Sequence, residues 1–163
     1  MKLSEGIEWS IHLCTLLAAL PSGKALTGAK LAEFFDLPKP YLAKHLQSLS
    51  AANLLSVKKG PGGGYSLARS AEQITMFDVL RALGEAGPSF SCTEIRRRGP
   101  SGVGPEAYSK PCGIARVMRR ADQTWAEELK SVSIADLNKE AAAEVHPDQT
   151  HKALKWLGET FNQ

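Results

Sequence analysis

Between Thr27 and Arg69, two short helix patterns, a proline-bearing break and a glycine-rich strand pair follow one another with almost no spacer. Thr27 is placed to N-cap a helix carrying Ala29, Leu31, Ala32, Phe34 and Phe35. Asp36-Leu-Pro-Lys-Pro40 interrupts it. These prolines suit a turn and then a first helical turn, where a missing N–H costs nothing. Tyr41, Leu42, Leu46 and Leu49 form the apolar side of a second helix reaching about Ala52. Leu54-Leu-Ser-Val57 and Tyr65-Ser-Leu67 then read as strands flanking Lys58-Lys59 and Gly60-Pro-Gly-Gly-Gly64, a hairpin with a basic shoulder. Helix, turn, helix and hairpin in this order make a winged helix. The glycines do not make a nucleotide loop, because no Gly-Lys-Ser/Thr ends the run and no G-x-G-x-x-G opens a helix.

The net charge is only +3, but no acidic residue stands between Asp36 and Glu72, where Lys39, Lys44, His45, Lys58, Lys59 and Arg69 lie. Such a stretch is the footprint expected for a polyanion, a solvated basic face being the plainer reading. In a helix-turn-helix the N-terminal part of the second helix meets base edges. That gives DNA reading to Pro38, Lys39, Tyr41, Lys44 and His45, and gives phosphate or the minor groove to Lys58, Lys59 and Gly62 of the wing.

Upstream, residues 4–20 carry Ile7, Ile11, Cys14 and Ala18 at helical spacing, with Leu13, Leu17 and Leu20 beside them, and Pro21-Ser-Gly23 ends the run. Ser4, Glu8, His12 and Thr15 occupy the opposite arc. Downstream, Thr75 opens a helix through Phe77, Val79, Leu80 and Leu83. Ser91 to Pro111, rich in glycine and proline around Arg96-Arg-Arg98, is expected to be a long structureless loop with Cys92 and Cys112 at its ends. Residues 113–131 give the longest helix pattern. Its seam of Ile114, Met118, Ala121, Trp125 and Val132 points to dimerisation, packing on the same chain being the other reading. Ser133-Ile-Ala-Asp136 reads as a capping box opening another turn. The expected fold is mainly α with a small β-hairpin. A winged helix-turn-helix spans 1–84, a loop 85–112, a long dimerisation helix 113–138, and a tail with a short helix around Ala153, Trp156, Leu157 and Phe161 covers 139–163.

Lys59-Gly-Pro-Gly-Gly-Gly-Tyr-Ser-Leu-Ala68, with Cys92, Cys112, the long helix and Ser133-Ile-Ala-Asp-Leu137, resembles the winged-helix iron–sulfur transcriptional regulators related to IscR and NsrR, closest to their RsrR branch. The likeness covers roughly residues 1–138 and leaves out the tail. It implies a homodimeric regulator, a repressor binding a palindromic DNA operator, that senses redox state through a [2Fe–2S] cluster. Many such regulators carry three close cysteines in the loop. Here only the first and last are present, with Glu94, Glu106 and Tyr108 between them.

Two thiolates are half of the four protein ligands such a cluster takes. Cys14 shares the apolar arc with Ile7 and Ile11 and reads as core, since a free cysteine behaves as a small hydrophobe. Glu8 and His12, four apart, project from one helix face about 6 Å from each other. Carboxylate oxygen and imidazole nitrogen both ligate iron, although the same spacing suits an ordinary surface pair. The resemblance implies that Glu8 and His12 of one subunit complete a site with Cys92 and Cys112 of the other. Trp9, beside Glu8, is then placed to act as a switch, or else is a dimer-interface aromatic.

Apolar residues at 43% and charged residues at 23% fit a soluble globular protein. No window approaches the roughly 18 to 20 apolar residues of a membrane span. Glu5, Glu8 and His12 interrupt any signal-peptide core, so a cytoplasmic protein with no membrane partner is expected. In that compartment the three cysteines are expected to be free, metal-bound or redox-active. No Ser/His/Asp or Cys/His constellation stands out, and no enzyme is expected. The main alternative is a cluster-free winged-helix regulator in which Cys92 and Cys112 form a thiol switch or a zinc site, or which takes a small ligand. An electron carrier would need neither the hairpin nor the helix-turn-helix.

Overall fold

The structure is a computed structural model and describes residues 3–162. The described chain holds α1 (Glu5–Ala18), α2 (Gly28–Phe35), α3 (Lys39–Ala51), β1 (Leu55–Lys58), β2 (Gly64–Leu67), α4 (Met76–Ala82), α5 (Gly113–Ser131), α6 (Ile134–Glu144) and α7 (Pro147–Phe161). The expected helical fold with one small antiparallel hairpin is the fold observed.

Local chemistry sets the helix-turn-helix. The Thr27 hydroxyl accepts the Lys30 N–H and caps α2. The helix stops at Asp36, which takes a left-handed conformation at φ 51°, and the Leu37 N–H returns to the Ala32 carbonyl. α3 then starts behind Pro38 with Pro40 in its first turn. Both helices turn leucines inward: Leu31, Leu42, Leu46 and Leu49 are almost fully buried with Leu13, Leu26, Leu54, Ile74 and Ile134. Each such side chain contributes about 1.5–3 kcal/mol on burial, so this shared core holds α3 against α1 and the wing.

In the wing, Leu55 stands opposite Leu67, Val57 opposite Tyr65 and Lys58 opposite Gly64. Leu26 exchanges backbone hydrogen bonds with Tyr65 at 3.0 and 2.7 Å and so ties the beginning of β2 to the segment just ahead of α2. Gly64 sits at that crossing with φ +145°, and a Cβ there would lie 2.4 Å from the Leu26 backbone. Gly64→Ala therefore meets both a forbidden conformation and a backbone clash. It is expected to destabilise the fold by about 1–3 kcal/mol from strain alone. A thermal melt should show this as a drop of roughly 3 to 10 °C in Tm, and an unchanged Tm would show that the crossing gives way.

Thr75 and Ser133 meet in an isolated antiparallel bridge, and each opens a helix with a capping box, Thr75 with Asp78 and Ser133 with Asp136. α6, anticipated as one turn, runs eleven residues along α1, where the Asn138 amide donates to the Thr15 carbonyl at 3.1 Å. The α5 seam divides. Met118, Trp125 and Val132 are half-buried, while Ile114 (68% exposed) and Ala121 face outward together with Val117 (52%), which lies outside the seam.

Two expectations need correction. The tail does not hold a short helix but the fifteen-residue α7, which folds back onto α2 of its own chain and buries Leu157. The segment Ser91 to Pro111 is not structureless. It carries single turns at Ile95–Arg97 and Pro105–Tyr108. The Tyr108 hydroxyl donates to the Arg96 carbonyl at 2.8 Å and accepts the Val103 N–H at 3.0 Å. Among the described residues no helix is long and apolar enough to cross a membrane.

Candidate nucleic-acid interface and cysteine centre

α3 buries Leu42, Leu46 and Leu49, which leaves Lys39, Tyr41 (64% exposed) and Lys44 on the outer side behind the exposed Pro38. Lys58, Lys59 and Gly62 are exposed on the wing. Among the described residues, none of Lys39, Lys44, Lys58 and Lys59 forms an ion pair. These cations are uncompensated, as a phosphate-binding surface requires.

His45 departs from this set. Its ring is turned toward α1 and packs edge-on against Trp9, with centroids 6.0 Å apart and planes at 86°. It also lies so close to Gly6 that a Cβ there would come 2.4 Å from His45 Cε1. The apolar pattern of α3 could not show this, because imidazole suits an exposed or a half-buried edge equally. The signal that could have found it is Gly6, a glycine set in the first turn of an amphipathic helix. Trp9 likewise lies, half-buried, against the second helix of its own helix-turn-helix.

Away from the helix-turn-helix in sequence, Cys92 lies exposed on the loop and Cys112 caps α5. Their sulfurs are 4.0 Å apart and both thiols are free. The Cys112 thiol lies below the usual thiol range. The Ala115 N–H aimed at its sulfur at 3.3 Å is the main cause, with contributions from Cys92, the Ile114 N–H and the Arg96 charge. A helix N-terminus favours a thiolate in this way. Arg96 is itself held by Glu94 and stands over the Tyr108 ring, whose hydroxyl donates to the Arg96 carbonyl. Asp122 of α5 accepts the Ser89 N–H at 3.2 Å and pins the loop's entry. Cys14 is fully buried, and burial pushes its thiol up to about 12.

The two thiols should therefore differ in reactivity. In metal-free reduced protein, the rate of Cys112 alkylation plotted against pH is expected to have its midpoint below that of an ordinary cysteine, because the folded state favours the thiolate. Cys14 should stay unmodified until the protein unfolds. Mass mapping after brief iodoacetamide treatment reads both, and labelling of Cys14 ahead of Cys112 would contradict the geometry.

Glu8 and His12 are exposed on α1, beside Leu3, Ser4 and Ile11, and the His12 ring lies 6.0 Å from that of Phe35. Among the described residues no three His, Cys, Asp or Glu side chains converge as a metal site. One chain thus presents two sulfurs in one place and the Glu–His pair in another.

A family profile described as an iron-dependent transcriptional regulator, Rrf2, matches residues 3–140. The chain belongs to the Rrf2 family. Similar proteins include the HTH-type transcriptional regulator YffB of Lactococcus lactis, 30% identical over 84% of this chain and 86% of its own. Another is slr0846 of Synechocystis, named as the same kind of regulator, at 28% over 84% and 87%. Among solved structures, the Rrf2 chain resembles CymR, the global cysteine regulator of B. subtilis, with a TM-score of 0.68 and 20% identity over 86% of this chain and 98% of that one. It also resembles T. potens IscR, with a TM-score of 0.67 and 22% identity over 93% and 96%. These likenesses establish the winged-helix fold. The relatives are transcriptional regulators rather than enzymes, and Rrf2 regulators bind DNA and are typically dimeric. α7 lies beyond the matched residues.

Proposed function

We propose that this Rrf2 regulator is a homodimeric repressor that reads a palindromic operator and responds to redox state through a [2Fe–2S] cluster held by Cys92 and Cys112 of one subunit and Glu8 and His12 of the other, as in the RsrR branch. The observation that carries this reading is the pair of free sulfurs 4.0 Å apart, one of them favoured as thiolate, with no further thiol near them. Thiolates ligate iron, and two of them leave two of four positions to be filled. The uncovered α5 face of Ile114, Val117 and Ala121 supports a dimer that covers α5; the proposal places the α1 of one subunit against the loop of the other. When bound, the cluster supplies a one-electron couple.

The chain's own residues would do the rest. Cys112 offers its thiolate at the start of α5, and Arg96 adds positive charge beside it. Glu8 and His12 offer oxygen and nitrogen from one side of α1. On the same helix, Gly6 and Trp9 grip His45 of α3. A change in where Glu8 and His12 sit is thereby passed to the helix carrying Lys39, Tyr41 and Lys44.

Mixed dimers test ligation across subunits. A Cys92→Ala/Cys112→Ala chain and a Glu8→Ala/His12→Ala chain should each bind no iron as homodimers. Their heterodimer should regain one complete site and half the wild-type iron. A heterodimer as empty as its parents would end the proposal of ligands from both subunits. A second reading has support from the same 4.0 Å pair: two thiols this close could join as a disulfide, releasing two protons and two electrons to an oxidant such as a peroxide. A colourless protein whose Cys92–Cys112 disulfide forms reversibly would favour it.

A further inference from the structure

The tail helix lies outside the family match yet makes long-range side-chain contacts with α2. Trp156 stands edge-on to Phe34 of α2 with centroids 5.0 Å apart, and its indole N–H donates to Glu33 Oε1 at 3.1 Å. Lys30, also on α2, bonds Glu33 at 3.1 Å, and its ammonium lies 5.5 Å from the Trp156 ring centre. One helical turn further on, Phe161 receives the ammonium of Lys24 at 5.0 Å. Aromatic rings hold cations in this way by their negative faces.

This contact borders the DNA-reading helix. The Glu33 carboxyl is held below the usual carboxylate range by hydrogen bonds from Lys30 first and Trp156 second, and the charge of Lys39 at the start of α3 adds to the effect. The tail brings no net positive charge of its own. From His146 onward, Lys152 and Lys155 are balanced by Asp148 and Glu159. Its rings hold Lys24 and Lys30, two cations next to the helix-turn-helix, the second already paired with Glu33.

We propose that α7 is an intrachain clasp that sets DNA specificity: Trp156 and Phe161 position α2 and hold Lys24 and Lys30 away from phosphate, lowering sequence-blind affinity while leaving the contacts of Tyr41 and Lys44 in place. The inference rests on the helix-turn-helix and wing binding DNA, and not on the cluster. Trp156, Phe161 and Glu33 are positioning residues, acting through the two lysines.

The test is the salt dependence of binding by full-length protein. Fluorescence anisotropy between 50 and 200 mM salt would follow an in vitro selected operator duplex and an unrelated duplex of equal length. Each lysine freed to reach phosphate should steepen the log–log slope by about 0.9, an added loss of about threefold over that range. Trp156→Ala should therefore steepen the slope and tighten binding to the unrelated duplex at 50 mM salt, so that the ratio of operator to unrelated affinity falls. Lys30→Ala should leave the wild-type slope unchanged but undo the gain in the Trp156→Ala background. Phe161→Ala, at the helix end, should do for Lys24 what Trp156→Ala does for Lys30, and it keeps the test open should Trp156→Ala fold poorly. A slope that is unchanged or shallower in both aromatic variants overturns the clasp, as does Lys30→Ala weakening the slope of the wild-type protein. Wild-type protein without any affinity for either duplex would instead overturn the DNA-binding reading underneath it.

Discussion

Cys112→Ala and Cys92→Ala are each expected to purify without iron, whereas Cys14→Ala is expected to keep the wild-type content. The expectation follows from where the three sulfurs lie. Cys92 and Cys112 face each other at 4.0 Å on the outside of the molecule, and the N-terminus of α5 favours the thiolate that metal binding needs. Cys14 is sealed in the core between the leucines of α1, with a thiol near 12 that does not ionise at neutral pH. Removing one loop sulfur leaves a single thiolate, too little to retain a cluster that takes four protein ligands. Anaerobic iron and sulfide analysis should find about two of each per wild-type subunit, with red-brown colour, and neither in the two loop variants. Full retention of iron in Cys92→Ala or Cys112→Ala would sink the assignment.

The second large effect is the collapse of operator affinity with salt. Among the described residues Lys39, Lys58 and Lys59 lie unpaired on one chain, and a dimer doubles them. Six phosphate contacts would release enough counterions to cut affinity on the order of 10³-fold between 50 and 200 mM salt. Lys59→Ala, two contacts fewer per dimer, should weaken operator and unrelated DNA alike and lower the slope by about 2. Tyr41→Ala and Lys44→Ala should act differently. They remove side chains from the outer side of α3 and should cost about 1–3 kcal/mol on the operator alone. Gel shifts at four salt concentrations separate the two classes. Operator binding that ignores both salt and these α3 substitutions would remove α3 and the wing from the interface.

What the chain disclosed in advance follows from the range over which its signals act. The break at Asp36–Pro40, the hairpin after Leu54 and the capping box at Ser133 are local devices: a left-handed residue, prolines, glycines, and a hydroxyl paired with a carboxylate three residues on. Periodicity found the inner sides of α1 and α3 and the buried character of Cys14 for the same reason. His45 escaped because its neighbours, Gly6 and Trp9, come from another helix. The order inside Ser91–Pro111 escaped because it rests on one tyrosine hydroxyl bridging two backbone positions, which no spacing rule encodes. The tail was legible as amphipathic, but its seat on Glu33 and Phe34 joins residues more than a hundred positions apart. Glu8 and His12 share a helix face, as their spacing requires, and a pattern within one chain carries no record of what a second chain places opposite them.

The bridge between Thr75 and Ser133 has a topological consequence. The chain runs from this point through α4, the cysteine loop and α5 and comes back to it, with the Met76 N–H on the Val132 carbonyl at 3.0 Å and the Ile134 N–H on the Ile74 carbonyl at 2.8 Å. α4 packs on α1 and α3, and the cysteine loop and α5 extend beyond it as an excursion whose stem is closed by backbone pairing. Closing so long an excursion costs little more than closing a short one, since the entropy grows only with the logarithm of its length. A body built this way can carry sensing arms of different length and chemistry without rebuilding its core. A twist of such an arm reaches the body through this stem, the shared starting point of α4 and α6, and through α4, which packs on α5 on one side and on α1 and α3 on the other.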